Sequence, residues 1–181
     1  GGSKALAGDG AAVAAALERG GRILALGLSG AETKGWAPFT MTTKNAEHIA
    51  AFFEPFSRTS PLAGVGPADV HNRNPRTLPL VAGGPDLVGD GVLARSKDGA
   101  VVFCQLVPWE FDPKKQMNLK RTFRRASCLV TRLTANLGAA AATPLLARVR
   151  APVKGMEERW LDGFYLDMPE EWDDPYRFFR W

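Results

Sequence analysis

The 181-residue chain has few of the patterns that mark specialised protein classes. Its apolar runs are about four to eight residues long, whereas a membrane-spanning helix needs roughly 20, and residues 1–10 lack the charged-then-apolar layout of an export signal. Only two cysteines are present, Cys104 and Cys128, and neither belongs to a CxxC or similar metal-ligand spacing. The glycines also lack the spacing of a phosphate-binding loop. We therefore expect a soluble protein without a disulfide framework, a metal or a cofactor.

Acidic residues are absent from one long stretch of the chain. Residues 113–156 contain ten Lys or Arg and no Asp or Glu, whereas residues 157–181 contain eight acids and three Arg. The net charge of +4 conceals this segregation. Because no nucleic-acid recognition motif accompanies the basic stretch, we expect it to face the acidic segment of the same chain, and we expect no nucleic-acid or membrane partner.

Residues 116–138 are predicted to form the longest helix, around which the rest of the chain is organised. Asn118 can cap the start of this helix, and Gly138 can close its end in the left-handed conformation. Basic side chains lie mostly off the apolar stripe. The stripe has the alternating spacing of four and three residues that one helix face requires, and its members are Leu119, Phe123, Ala126, Val130, Leu133 and Leu137.

The start of the chain reads as half of a strand–helix–strand unit. Residues 10–19 suit a short helix that Asp9 can cap, and Val13 and Leu17 share one face of it. The run RILALGL at residues 22–28 is almost entirely apolar, which is typical of a parallel strand covered on both faces. No partner strand precedes the helix, so we expect a sheet that is incomplete at its N-terminal side, in a fragment of a larger polypeptide.

The middle of the chain alternates short extended pieces with turns. The clearest feature is a hairpin whose turn is Lys97-Asp98-Gly99 and whose second strand, VVFCQLV, is apolar enough to be central. Residues 61–65 and 67–70 are predicted as short helical turns, and residues 71–79 as a polar surface loop. The predicted extended pieces are residues 40–43, 48–53, 80–81, 91–96 and 100–107.

Four segments together resemble a known family: RILALGL, SPLAGVGPADVHNRNP, VVFCQLVPWEF and NLKRTFRRASCLVTRLTANLG. They are similar to the glutamine-amidotransferase-like domain appended to large bacterial glycoside hydrolases, and FYLDMPEEWDDPYRFFRW looks like the end of such proteins. The resemblance implies a flavodoxin-like three-layer α/β fold, a parent enzyme acting on carbohydrate, and an accessory role for this chain.

Two regions follow from this reading. Residues 1–142 would be the α/β domain, and residues 143–181, the tail, would pack on that domain or on a partner. Eight of the seventeen aromatic residues lie between Trp160 and Trp181, so the tail needs a surface to cover it. The tail residues expected at the interface are Trp172, Tyr176, Phe178, Phe179 and Trp181.

The resemblance does not bring a catalytic signature with it. Family members with amidotransferase activity place a nucleophilic Cys on a strand-to-helix elbow, with His and Glu later in the chain. Here Cys104 lies inside an apolar strand and is followed by Gln105 and Leu106, and no histidine follows either cysteine. We therefore expect Cys104 to be a buried and inert thiol.

One polar loop, residues 69–74, has the composition that binds sugar hydroxyls. The alternative is a loop that hydrogen-bonds its own backbone through Asx turns, and the sequence favours this alternative. The other histidine, His48, alternates with Ile49 and is expected at the surface or at an interface. The ligand-binding residues predicted for the loop are Asp69, His71, Asn72, Arg73 and Asn74.

The leading hypothesis is a non-catalytic accessory or structural domain from the C-terminal end of a glycoside hydrolase. Its partners would be other domains of the parent polypeptide or further copies of the chain. The alternatives are a carbohydrate-binding module that uses the polar loop, and a hydrolase that uses Cys104 or a carboxylate pair. The nearest carboxylate pairs are Glu110 with Asp112 and Glu170 with Asp173. The cellular location stays open, with export of the parent protein included.

Overall fold

The computed structural model describes residues 8–72, 75–112, 114–116 and 119–139, and these form a mixed α/β fold. Three α-helices are present in this part of the chain: α1 (Gly10–Glu18), α2 (Gly30–Thr33) and α3 (Lys120–Asn136). The strands are β1 (Ile23–Leu26), β2 (Thr42–His48), β3 (Arg76–Gly83), β4 (Asp86–Val88), β5 (Leu93–Arg95) and β6 (Val101–Cys104). Short 3-10 turns occur at Pro67–Val70, Gly89–Gly91 and Pro108–Phe111. Among the described residues, no helix is long and apolar enough to cross a membrane.

The main sheet has the strand order β1-β6-β5-β4, with β1 parallel to β6 and the other pairs antiparallel. Residues of β6 alternate between two apolar clusters: Val102 and Cys104 face one cluster, and Val101 and Phe103 face the other. All four residues of β6 are fully buried, which confirms the predicted central strand. The main sheet therefore has apolar cover on both faces, as its apolar strands require.

The predicted helix and parallel strand at the start of the chain are confirmed. In α1, Val13 and Leu17 both pack against one face of the main sheet. Asp9 occupies the capping position, although its side chain makes no capping hydrogen bond. In β1, Leu24 and Leu26 contact the cluster opposite to the one that Ala25 joins, as expected from the two-residue period of a strand.

The second sheet corrects two predictions. Residues 40–43 and 48–53 were predicted as separate extended pieces, but β2 is one strand that spans the gap between them. Residues 71–79 were predicted as a loop, but β3 begins at Arg76 and pairs antiparallel with β2. Pro79 suggested a loop, yet proline is tolerated in an edge strand, and both strands of a two-stranded sheet are edges.

The hairpin between β5 and β6 is confirmed, and its turn is closed by side chains. The carboxylate of Asp98 accepts hydrogen bonds from the Ser96 hydroxyl and from the Ala100 N–H. These bonds lower the pKa of Asp98, that from Ser96 most strongly. Gly99 completes the turn with a positive φ of 70°.

Helix α3 is the longest helix in the described part of the chain, and its buried face is rotated from the predicted stripe. Ala126 and Leu133 are buried as predicted, whereas Phe123 and Leu137 are half-buried at the margin of the core. Val130 lies outside both apolar clusters. The fully buried residue at this level of the helix is Leu129, which the predicted stripe omits. The predicted cap, Asn118, lies outside the described residues.

The end of α3 agrees with the sequence. Gly138 has a φ of +89°, and its N–H donates to the Ala135 carbonyl over 2.9 Å. The N–H of Ala139 donates to the Thr134 carbonyl over 3.2 Å. These two bonds satisfy carbonyl groups of the last turn, as a left-handed glycine after a helix allows.

Candidate functional site

The polar loop begins on the 3-10 turn at Pro67–Val70, and its first side chain points into the turn. Asp69 is buried, and one of its carboxylate oxygens accepts the Gly66 N–H over 2.8 Å. This bond ties the start of the turn to its third residue, in the manner of a helix cap. Asp69 therefore holds the local backbone and does not face solvent, where a sugar hydroxyl would approach.

Three contacts attach the polar loop to the end of β2. The N–H of Asn72 donates to the Ile49 carbonyl over 2.6 Å, and the Nδ2 atom of Asn72 lies 3.5 Å from the His48 carbonyl. In the other direction, His48 Nε2 lies 2.6 Å from the Val70 carbonyl. Because a carbonyl can only accept, Nε2 of His48 carries the proton. Both His48 and Asn72 are buried, so this attachment is part of the interior.

Arg125 attaches the polar loop to α3. A guanidinium nitrogen of Arg125 lies 2.8 Å from His71 Nδ1 and 3.2 Å from the His71 carbonyl oxygen. The guanidinium donates to both atoms, which requires Nδ1 of His71 to be unprotonated. Burial, the neighbouring Arg125 charge and His48, in that order, lower the pKa of His71 from its ordinary value of 6.5. The imidazole therefore accepts from Arg125 as a neutral ring.

We expect the free energy of unfolding to fall as the pH is lowered below about 6.5, because His71 then binds a proton more readily in the unfolded chain than in the folded one. The contribution is fully present above that pH and is lost as the pH falls through the lowered pKa of the folded state. Urea denaturation between about pH 7.5 and pH 5 measures the slope. A His71→Gln variant should show a shallower slope, and an unchanged slope would assign the titration to another group.

The structure places Asp69, His71 and Asn72 in one cluster. Their hydrogen bonds join the 3-10 turn, β2 and α3 to one another. The predicted loop residues Arg73 and Asn74 lie outside the described residues. The prediction that His48 is at the surface or at an interface is wrong, since His48 is 3% exposed and lies in the interior of the chain, whereas Ile49 is 47% exposed. Sequence reasoning also missed Arg125, because nothing in the local pattern connects it with a histidine 54 positions earlier.

Cys104 lies at the end of β6 with its thiol enclosed. Its Sγ donates to the Leu106 carbonyl over 3.1 Å, and burial raises the pKa of the thiol to about 12. At neutral pH the thiolate, which is the nucleophilic form, is therefore very scarce. Cys128 on α3 is half-buried.

Cys104 is expected to resist iodoacetamide in the folded protein, because both access and ionisation are suppressed. Peptide mass spectrometry after timed labelling measures modification at each cysteine separately. Labelling in denaturant supplies the rate of the freely accessible thiols. If Cys104 in the folded chain reacts as fast as in denaturant, the thiol is not enclosed.

The described carboxylate pair, Glu110 with Asp112, lies on the 3-10 turn that follows β6 and on the residue after it. Glu110 is exposed, and Asp112 accepts the N–H of Lys114 over 2.9 Å, so it closes a local turn. The pair Glu170 and Asp173 lies outside the described residues, as do the five tail aromatics predicted at an interface. Within the described part of the chain, no group of three or more His, Cys, Asp or Glu could hold a metal ion.

An open cleft of about 510 Å³ lies between α2 and the segment leading into β2. Its lining includes Lys34, Phe39 and Met41. The hydroxyl of Thr33, another lining residue, donates to the Gly30 carbonyl over 2.8 Å. The sequence of this segment carries none of the motifs that indicate a site. The lining of the cleft mixes apolar side chains with two threonines, Thr33 and Thr40, and one exposed cation, Lys34.

Comparison of the chain with models of protein families, with curated proteins and with solved structures finds no match.

Proposed function

We propose that this chain is a non-catalytic accessory domain. In this proposal the polar loop is a structural clamp, which means that its side chains hold α3 to the 3-10 turn and to the end of β2. The proposal rests on one observation: the polar side chains of the loop form hydrogen bonds to the protein itself. Asp69 bonds to its own turn, Asn72 to the end of β2, and His71 to Arg125 of α3. Groups committed to such bonds must give them up before they can bind a sugar, and breaking a buried hydrogen bond costs about 1 to 3 kcal/mol.

The thiol also supports a non-catalytic role. An amidotransferase-type nucleophile needs an accessible thiolate beside a base. Cys104 is enclosed in the central strand with a raised pKa, and both histidines, His48 and His71, bond to the polar loop or to α3. This arrangement favours an interaction domain over an enzyme.

The carbohydrate part of the proposal derives from the resemblance of the four sequence segments to domains appended to glycoside hydrolases. The parent polypeptide would carry the glycosidase activity, and this domain would serve its assembly. The finer fold proposal is a flavodoxin-like layering, which is supported by the parallel pair β1 and β6 and by apolar cover on both faces of their sheet.

Isothermal titration of the whole chain with a panel of mono- and oligosaccharides tests this function. The proposal expects no saturable heat. The comparison variant is His71→Ala, with Lys97→Ala, an exposed residue of the hairpin turn, as the control. Saturable binding that His71→Ala abolishes and Lys97→Ala preserves would replace the clamp with a carbohydrate-binding loop. Hydrolysis of a chromogenic glycoside by the purified chain would overturn the non-catalytic role.

A further inference from the structure

Strand β1 lies at one end of the main sheet, and in the described part of the chain only its inner edge is paired. The N–H groups of Ile23 and Gly27 point inward and donate to carbonyls on the β6 side. Because successive residues of a strand direct their backbone groups to opposite edges, Leu24 and Leu26 direct theirs outward. The outer edge of β1 therefore presents two N–H donors and two carbonyl acceptors.

Among the described residues, the outer edge of β1 lacks the charged side chains that β4 and β2 carry. Natural proteins block exposed edges with charged residues, proline or covering segments. The opposite end of the main sheet carries the exposed Asp86, and β2 carries the exposed Lys44 and Glu47. The sequence of β1 is Ile-Leu-Ala-Leu, without charge. The preceding Arg22 directs its guanidinium to the Gly99 carbonyl, at the end where β6 begins.

We propose that a second copy of this chain pairs with β1, antiparallel, about a two-fold axis at Ala25. In this register Leu24 lies opposite Leu26 of the second copy, and each of the two such pairs exchanges two hydrogen bonds. All the outward backbone groups of both strands are then satisfied. The strand is self-complementary, which is what a two-fold interface requires.

The side chains permit the same register. Ala25 faces Ala25 of the second copy at a position without hydrogen bonds, where opposite Cα atoms are about 4.5 Å apart. A methyl group on each side fits this approach. Leu24 and Leu26 point to one face and meet their counterparts there. The pairing joins two four-stranded sheets into one continuous sheet.

Helix α1 packs on the face of the main sheet that Ala25 joins. Apart from Gly10 and Glu18 its side chains are all apolar, and yet none of its residues is buried. A helix that is apolar on all sides is normally an interior helix. The two-fold axis runs perpendicular to the sheet, so the α1 helices of both copies lie on the same face of the joined sheet.

Light scattering during size-exclusion chromatography of the whole chain provides the first test. The expected mass at high concentration is twice the 19.6 kDa of one chain. Hydrogen exchange provides the second, because the amides of Leu24 and Leu26 should become more protected as concentration rises. The amide of Phe52, whose side chain is 79% exposed, is the control and should not change. A chain that stays monomeric at all concentrations overturns the proposal.

Cross-linking identifies the interface. An Ala25→Cys substitution should yield a disulfide-linked dimer on mild oxidation, since opposite residues at this kind of position have a Cβ separation suitable for a disulfide. Ala94→Cys is a buried control on β5, which is paired on both edges, and Ala50→Cys is an exposed control for random collision. A dimer that Ala25→Cys fails to link faster than both controls forms elsewhere, and this overturns the proposal. The result is independent of sugar binding, so the accessory function and this interface can fail separately.

Discussion

A Gly91→Ala variant is expected to lose about 3 kcal/mol or more of unfolding free energy, the largest single effect that we anticipate. Gly91 ends the 3-10 turn between β4 and β5 with a φ of +87°. A Cβ placed there would lie closer to the Val81 carbonyl oxygen on β3 than any real contact allows. The clash involves backbone on both sides, so it cannot be relieved by a side-chain rotation. Gly91 is thus the point where the two sheets approach each other closely.

Gly138→Ala is the matched control for this substitution. Its φ of +89° imposes the same backbone strain, but nothing lies within 4 Å of the Cβ that alanine would add. We expect Gly138→Ala to cost about 1 kcal/mol, which is typical of a non-glycine residue in this region. Urea denaturation of both variants separates strain from clash. Equal losses would mean that the close approach to Val81 adds nothing.

The second large effect is expected for Leu129→Ala on α3, at about 2 to 5 kcal/mol. Leu129 is fully buried in the cluster between α3 and the main sheet, where removal of its side chain leaves a cavity. The neighbouring Val130 lies outside both clusters and is half-exposed, so Val130→Ala should cost under about 1 kcal/mol. Equal costs of the two substitutions would mean that Val130 belongs to the buried face of α3, as the predicted stripe has it.

The predicted stripe of α3 shows what hydrophobic periodicity determines and what it does not. The spacing of four and three residues predicts a helix correctly, but both Leu129 and Val130 fit a face that includes Ala126 and Leu133. The choice between them depends on where α3 meets elements distant in the sequence, such as the turns at Pro67–Val70 and Pro108–Phe111. Local features that need no distant partner, such as the apolar run of β6 and the left-handed Gly138, are predicted well.

The candidate site could also be predicted from the sequence only in its local features. The residue types at Asp69, His71 and Asn72 identify a polar loop, and Asx-type bonding to its own backbone was the favoured alternative. The bond of Asp69 to the Gly66 N–H agrees with that alternative. His48 was misplaced because alternation with Ile49 does not say which of the two faces inward. An apolar residue such as Ile49 is the usual occupant of the inward position, but here the cost of burying His48 is offset by its bond to the Val70 carbonyl.

The central claim is that the polar loop clamps α3 to the rest of the fold, and the coupling between His71 and Arg125 tests it most directly. The measurement is a double-mutant cycle of unfolding free energies for His71→Ala and Arg125→Ala, made above about pH 7.5 so that His71 is neutral. We predict a coupling energy of about 0.5 to 3 kcal/mol, because the guanidinium lies 2.8 Å from Nδ1 of the ring. Single-variant losses that add within about 0.3 kcal/mol would contradict the clamp.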